Sequence, residues 1–214
     1  MLELGLKLLV AYLLGSLIGS LILGSLRGVD IRRMGSGNAG ATNALRTQGK
    51  LFGLGVFVID VAKGVLAVTW LPAARFPGVG IDPAISREWL ELACGLAVIV
   101  GHVYPVWFEF RGGKGFATVI GVVAAVQWRL LLPLLITWFL VLIVSGYVGL
   151  ATVLSSVALV VAVQGFASGD WPLQSFCLVV CGLVVYTHRG NIARMRAGKE
   201  NRVRRLWLFR PRTV

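Results

Sequence analysis

Acidic side chains are scarce in this 214-residue chain, with only nine Asp and Glu, and histidine occurs twice. The four aspartates (30, 60, 82 and 170) and five glutamates (3, 88, 91, 109 and 200) form no tight cluster along the sequence. Divalent-metal phosphotransfer needs such a cluster, so no metal and no cofactor is expected. No His-x4-Asp dyad occurs, because Trp107 and Ala193 stand at that spacing, five residues after His102 and His188. Charged residues as a whole make up 14% of the chain, against about 25% in soluble domains. That leaves too little polar surface to coat a soluble globule. The three cysteines, Cys94, Cys177 and Cys181, lie in apolar segments without zinc spacing and read as buried free thiols.

What is abundant is apolar sequence. Hydrophobic residues make up 57% of the chain and the mean hydropathy is +0.83. A helical span needs about 20 apolar residues. By that measure the fold class is an all-α integral membrane protein with seven transmembrane helices, over 4–26, 51–73, 88–108, 116–126, 130–146, 150–166 and 173–188. The stretch 116–148, broken at Gln127-Trp128-Arg129, is read as two short spans. The first segment overshoots a signal-peptide core and lacks a small-residue cleavage site, so it is read as a retained span. The whole chain forms one membrane domain, with 189–214 as a basic cytoplasmic tail.

Net charge is +12, and 16 of the 21 Lys and Arg fall in segments 27–50, 109–115 and 189–214. Seven crossings put these on one side, which the positive-inside rule makes cytoplasmic. The N-terminus then lies outside and the C-terminus inside. This placement assigns the basic excess to membrane lipid and loops, with no nucleic acid as partner. Arg202, Arg204, Arg205, Arg210 and Arg212 read as a lipid-facing tail. Asp60 and Lys63, three apart within the second span, read as an internal ion pair.

Three polar segments carry candidate chemistry. In the first, Gly35, Ser36, Gly37, Asn38, Gly40, Thr42, Asn43 and Arg46 combine flexible backbone, neutral donors and a cation. Positive φ at the glycines would let successive amides form an anion nest. The formal G-x-G-x-x-G match follows a membrane helix, not a strand, and is not a dinucleotide fingerprint. In the second, Gly101-His102-Val103-Tyr104-Pro105 precedes Arg111-Gly112-Gly113-Lys114-Gly115. Pro105 should end the third span, and the glycine turn with Lys114 suits a phosphate. It is no Walker A motif, since Gly115 stands where a magnesium-binding hydroxyl would be. In the third, His188 leaves the membrane with Asn191 and Arg194 at three-residue spacing, which a continuing helix would place on one face. His102 reads equally well as a packing residue or a site residue.

These segments resemble the signatures of one family. Gly-Ser-Gly-Asn-x-Gly-Ala-Thr-Asn-x-x-Arg at 35–46 is similar to its first. Gly-His-x-Tyr-Pro-Val with Gly-Gly-Lys-Gly-x-Ala-Thr at 101–118 is similar to its second, and His-Arg-x-Asn-Ile-x-Arg with Gly-x-Glu at 188–200 to its third. The family is the bacterial acyl-phosphate:glycerol-3-phosphate acyltransferases of the PlsY type. The resemblance implies acyl transfer from fatty acyl phosphate to glycerol 3-phosphate, an early step of phospholipid synthesis at the bacterial inner membrane. A soluble enzyme making the acyl phosphate is an implied partner. It also implies catalytic roles for Ser36, Lys114, His188 and Asn191. Phosphate binding then falls to Gly35, Gly37, Asn38, Gly40, Thr42, Asn43, Arg46, Arg111, Gly112, Gly113 and Thr152. The chain departs from the family pattern at 145–152, where the basic residue and the first serine are missing and Thr152 keeps a hydroxyl at the second serine position. A transporter for a phosphorylated anion is the competing class. Transporters, however, tend to place polar residues at the midplane and to show internal repeats, and neither is visible here.

Overall fold

The structure is a computed structural model, and it describes residues 1–203 and 207–209. Among the described residues there is no strand. The helices are α1 (Leu2–Gly15), α2 (Gly19–Ser25), α3 (Ala41–Gln48), α4 (Lys50–Thr69) and α5 (Arg87–Val103). They continue with α6 (Phe116–Val126), α7 (Leu131–Ser145), α8 (Val148–Phe166), α9 (Trp171–Thr187) and α10 (Arg189–Arg196). The chain divides into two compact units, Met1–Val126 and Gln127–Val214.

Each expected apolar segment is helical, but two expectations change. The first span is not continuous: it breaks after Gly15, and α1 and α2 meet at a 52° bend. Glycine and serine pairs are a common cause of kinks, and Gly15-Ser16 and Gly19-Ser20 flank this one. The segment 116–126 forms a helix of 11 residues, about 16 Å long, well short of a hydrocarbon core of about 30 Å. By length and composition four helices can cross a membrane, or up to six if each bent pair counts as one span.

In the first unit glycines let helices approach closely, as expected where lipid gives no hydrophobic drive to pack. Gly15 of α1 lies against the Val98 backbone of α5, and Gly101 of α5 lies against Tyr12 and Ser16. Gly64 of α4 and Gly121 of α6 meet in the same way. The break after α1 is held from α4: Lys63 Nζ donates to the carbonyls of Gly15 and Leu17, each at 2.9 Å. Lys63 also sits 3.0 Å from Asp60, the ion pair read from the sequence. At the other end of α1, buried Glu3 and Lys7 pair at 2.9 Å, and Arg87 joins Glu3 at 2.6 Å.

In the second unit α7 and α8 form a hairpin. Its turn, Gly146, ends α7 in the left-handed region at φ +74°. The outward faces are apolar, with Leu132, Ile136, Phe139 and Leu140 exposed, while Thr152, Ser155 and Ser156 are buried. This inside-out pattern suits a lipid solvent. The tail does not simply lie free. The Arg202 guanidinium stacks on Tyr147 and Trp207 at 4.4 and 4.0 Å, and the Val203 amide donates to the Gly146 carbonyl at 2.8 Å. The remaining tail arginines, 204, 205, 210 and 212, lie outside the described residues.

Candidate active site

The first polar loop is organised around one buried amide. Asn43, on the first turn of α3, is 1% exposed. Its Nδ2 donates to the carbonyls of Ile31, Met34 and Asn38 at 3.2, 2.9 and 3.0 Å, and its Oδ1 accepts the Ser36 amide at 2.9 Å. Gly35 and Gly37 take positive φ, +56° and +74°. A side chain on Gly35 would also collide with the Asn43 amide. The Gly37 amide donates to the Met34 carbonyl at 3.0 Å.

The amides of Ser36 and Gly37 are therefore used inside the loop, so these two do not join the expected nest of successive amides facing an anion. Asn43 likewise shapes the loop with its donors. Polar side chains at the surface include Ser36 and, four residues apart on one face of α3, Thr42 and Arg46. The loop entrance is tied by Asp30, which caps the turn Ile31–Arg33 and takes the Arg32 guanidinium at 2.8 Å. That guanidinium holds the Asp30 carboxyl below the usual carboxylate range.

The second loop starts where α5 stops, one residue before Tyr104-Pro105, as Pro105 requires. A short 3-10 turn (Val106–Phe108) follows. Glu109 and Phe110 then both adopt left-handed conformations, φ +59° and +58°. Two such residues in a row cost about 1–2 kcal/mol each, strain of a kind that clusters at functional sites. The reversal brings the Gly112 amide to the Val103 carbonyl (3.2 Å) and the Gly113 amide to the His102 carbonyl (3.1 Å). Here too the glycine amides bind the chain's own helix end. Arg111 is exposed and Lys114 half-buried just beyond them.

The two loops lie together at one end of the first unit. Arg32 Nη1 donates to the Phe108 carbonyl at 3.0 Å, and Ser20 Oγ donates to the Ala39 carbonyl at 2.8 Å. Phe108 packs on a small core of Ile18, Leu21 and Ala39.

In the second unit the helix does not continue straight through the third segment: α9 and α10 meet at 51° across His188. His188 Nδ1 lies 2.8 Å from the Val184 carbonyl, an acceptor. The proton of the neutral ring therefore belongs on Nδ1 and the lone pair on Nε2. Asn191 is buried and donates to Glu200 at 2.9 Å, and Arg194 pairs with the same carboxylate at 2.7 Å. Arg194 is thus engaged with Glu200, the glutamate of the third signature. Thr152 lies within α8, 2% exposed. Its hydroxyl donates to the Val148 carbonyl at 2.9 Å and accepts the Trp138 indole at 3.2 Å. That geometry serves α7–α8 packing, and the expected phosphate contact of Thr152 does not fit it.

Residues 5–198 match the family model described as glycerol-3-phosphate acyltransferase. This chain belongs to the glycerol-3-phosphate acyltransferase family. It is 38% identical to the glycerol-3-phosphate acyltransferase of Aquifex aeolicus, over 90% of this chain and 95% of that one. With the Actinobacillus succinogenes protein of the same name identity is 40%, over 90% of each. Crystal structures of PlsY (YgiH), an integral membrane glycerol 3-phosphate acyltransferase, are similar at 34% identity, covering 93% of this chain and 94% of that one. The TM-score is 0.79 for the glycerol 3-phosphate form and 0.77 for the lysophosphatidic acid form. As a member of this family the chain is a membrane-embedded acyltransferase of phospholipid synthesis.

Proposed function

We propose that this enzyme transfers the acyl group of a fatty acyl phosphate to the sn-1 hydroxyl of glycerol 3-phosphate, giving lysophosphatidic acid and inorganic phosphate. The observation that carries this reading is the pairing of two cation-bearing loops at one end of the first unit, joined by the Arg32–Phe108 bond. Two anionic substrates must be held side by side, and each loop offers one site. Arg46, Thr42 and Ser36 serve one phosphate, and Lys114 with Arg111 serves the other. The ligands named for the PlsY crystal forms, glycerol 3-phosphate and lysophosphatidic acid, are the acceptor and the product of such a reaction.

An acyl phosphate is already activated, so no covalent enzyme intermediate is needed. The acceptor hydroxyl oxygen attacks the acyl carbon, the bond from that carbon to the phosphate oxygen breaks, and inorganic phosphate departs. The hydroxyl proton goes either to the departing phosphate or to a general base, the role that the family resemblance implies for His188. The same resemblance implies a substrate-orienting role for Asn191, whose side chain is held by Glu200. Positioning supplies roughly 7–11 kcal/mol of barrier reduction, and charge stabilisation by the cations adds several kcal/mol more.

The charge distribution supports seven crossings of the bacterial inner membrane, with the N-terminus outside and the signatures cytoplasmic. A soluble enzyme making acyl phosphate then delivers the donor from the cytoplasmic side. Protein purified in detergent should release lysophosphatidic acid and phosphate from acyl phosphate and glycerol 3-phosphate, and absence of both products refutes the reading. His188→Ala should lose about 10²–10⁴-fold in turnover. Loss of the wild-type alkaline plateau assigns the proton to His188, and an unchanged profile assigns it to the phosphate.

A further inference from the structure

Beneath the two loops of the first unit lies a polar cluster that the proposed chemistry does not use. Asp60 and Lys63 of α4 and His102 of α5 are all at most 3% exposed. Lys63 Nζ and His102 Nδ1 approach the same carboxylate oxygen, Asp60 Oδ1, at 3.0 and 3.4 Å. Asp60 Oδ2, His102 Nδ1 and Thr118 Oγ1 make no hydrogen bond among the described residues. Buried polar atoms left unsatisfied lower stability, and apolar side chains of similar volume would avoid that cost. Packing alone therefore does not account for the cluster.

Its contacts run to both loops. Asp60 Oδ1 accepts the Gly19 amide at 3.3 Å, where α2 begins. The next residue, Ser20, holds the first loop through the Ala39 carbonyl. On the other branch, the His102 carbonyl accepts the Gly113 amide. The Nε2 edge of its ring lies so close to Gly113 that a methyl group there would collide with it. Lys114 is the next residue along the chain.

We propose that Asp60 and His102 are positioning residues that fix the first loop and the Gly112–Lys114 turn relative to one another. The proposal rests on the two-substrate reading above: if each loop holds one phosphate, the cluster sets the distance between the reacting groups. Misplacement by about 1 Å can cost about a hundredfold in rate. Each loop keeps its own cation, so binding should suffer less than turnover.

The test is steady-state kinetics in detergent, with melting temperature measured on the same samples. Asp60→Asn and His102→Leu should each lower kcat at least about tenfold, with both KM values within about threefold of wild type. His102→Asn, whose amide can replace Nδ1, should retain more activity than His102→Leu. The Asp60→Asn/His102→Leu double variant should lose no more than the worse single variant, because contacting residues acting through one path are not additive. Unchanged kcat in folded single variants, or losses that multiply in the double, overturns the proposal. If the buried variants do not fold, Ser20→Ala cuts only the Ala39 link and should lower kcat by about threefold or more with KM retained. Unchanged kcat in that variant also overturns the proposal. Wild-type protein inactive with both substrates would instead refute the two-substrate reading itself.

Discussion

At the Glu3 end of the first unit, the buried charges Glu3 and Lys7 are answered from within the chain. Glu3 takes both Lys7 and Arg87, Lys7 also donates to the Pro72 carbonyl, and the Asp82 amide donates to Glu3. At the loop end, Asp30 pairs with Arg32, but among the described residues no carboxylate pairs with Arg33, Arg46 or Arg111. The same residue types thus close one end of the unit and leave the other end positively charged. The first arrangement fastens α1 to α5 and the loop at Asp82. The second leaves Arg33, Arg46 and Arg111 without a carboxylate among the described residues, as the proposed binding of two anionic substrates requires. Composition does not separate these uses; the pairing does.

The sharpest way to break this comparison is to exchange the expected effects. Lys114→Ala should cut turnover at least about a hundredfold, the scale of removing a charge that acts on a transition state, while the melting temperature stays near wild type. Near-native turnover in a folded variant would remove Lys114 from the site. Glu3→Gln should do the reverse. Losing one partner of a buried ion pair leaves the other charge uncompensated, so the melting temperature in detergent should fall by several degrees or more. Turnover per folded molecule should hold. A Glu3→Gln protein that melts normally but turns over slowly would mean the two ends are coupled.

The sequence made much of this legible, and unevenly. Apolar runs marked the apolar helices to within a few residues, because lipid-facing and packed faces are both apolar, whereas α3 and α10 lie in polar segments that no such run marks. The Asp60–Lys63 pair was readable because three-residue spacing places two side chains on one face. The break at Ser16 was not readable, since glycine and serine are also routine in straight membrane helices, and the Lys63 contacts that hold the break come from 46 and 48 residues away. In the site, the residue types were legible but not the direction of each donor. The glycine-rich loops promised backbone amides, yet those of Ser36, Gly37, Gly112 and Gly113 close onto the chain itself. Glu200 stood in the third signature, but nothing in its spacing showed that it would hold both Asn191 and Arg194. Nor did any spacing show the closeness of His102 to Asp60, 42 residues apart.

The smallest expected effect refines the loop end. Asp30 is the one carboxylate paired there, and its role is to hold Arg32, which in turn bonds the Phe108 carbonyl across the two loops. Asp30→Asn should loosen that bridge and raise KM for glycerol 3-phosphate by about threefold to tenfold, roughly the effect of one weakened polar contact. The wild type should show the same loss in acid. The Asp30 carboxyl is depressed by Arg32, so its contribution is full above the ordinary aspartate range near 3.9. It disappears as pH falls through the lower folded value. Phosphate protonation changes KM as well, but equally for both proteins. The ratio of variant to wild-type KM should therefore fall toward one in acid, on protein that remains folded. A ratio that stays constant down to the acid limit would mean Asp30 does not act through its charge, and the loop would then be held by Asn43 and Ser20.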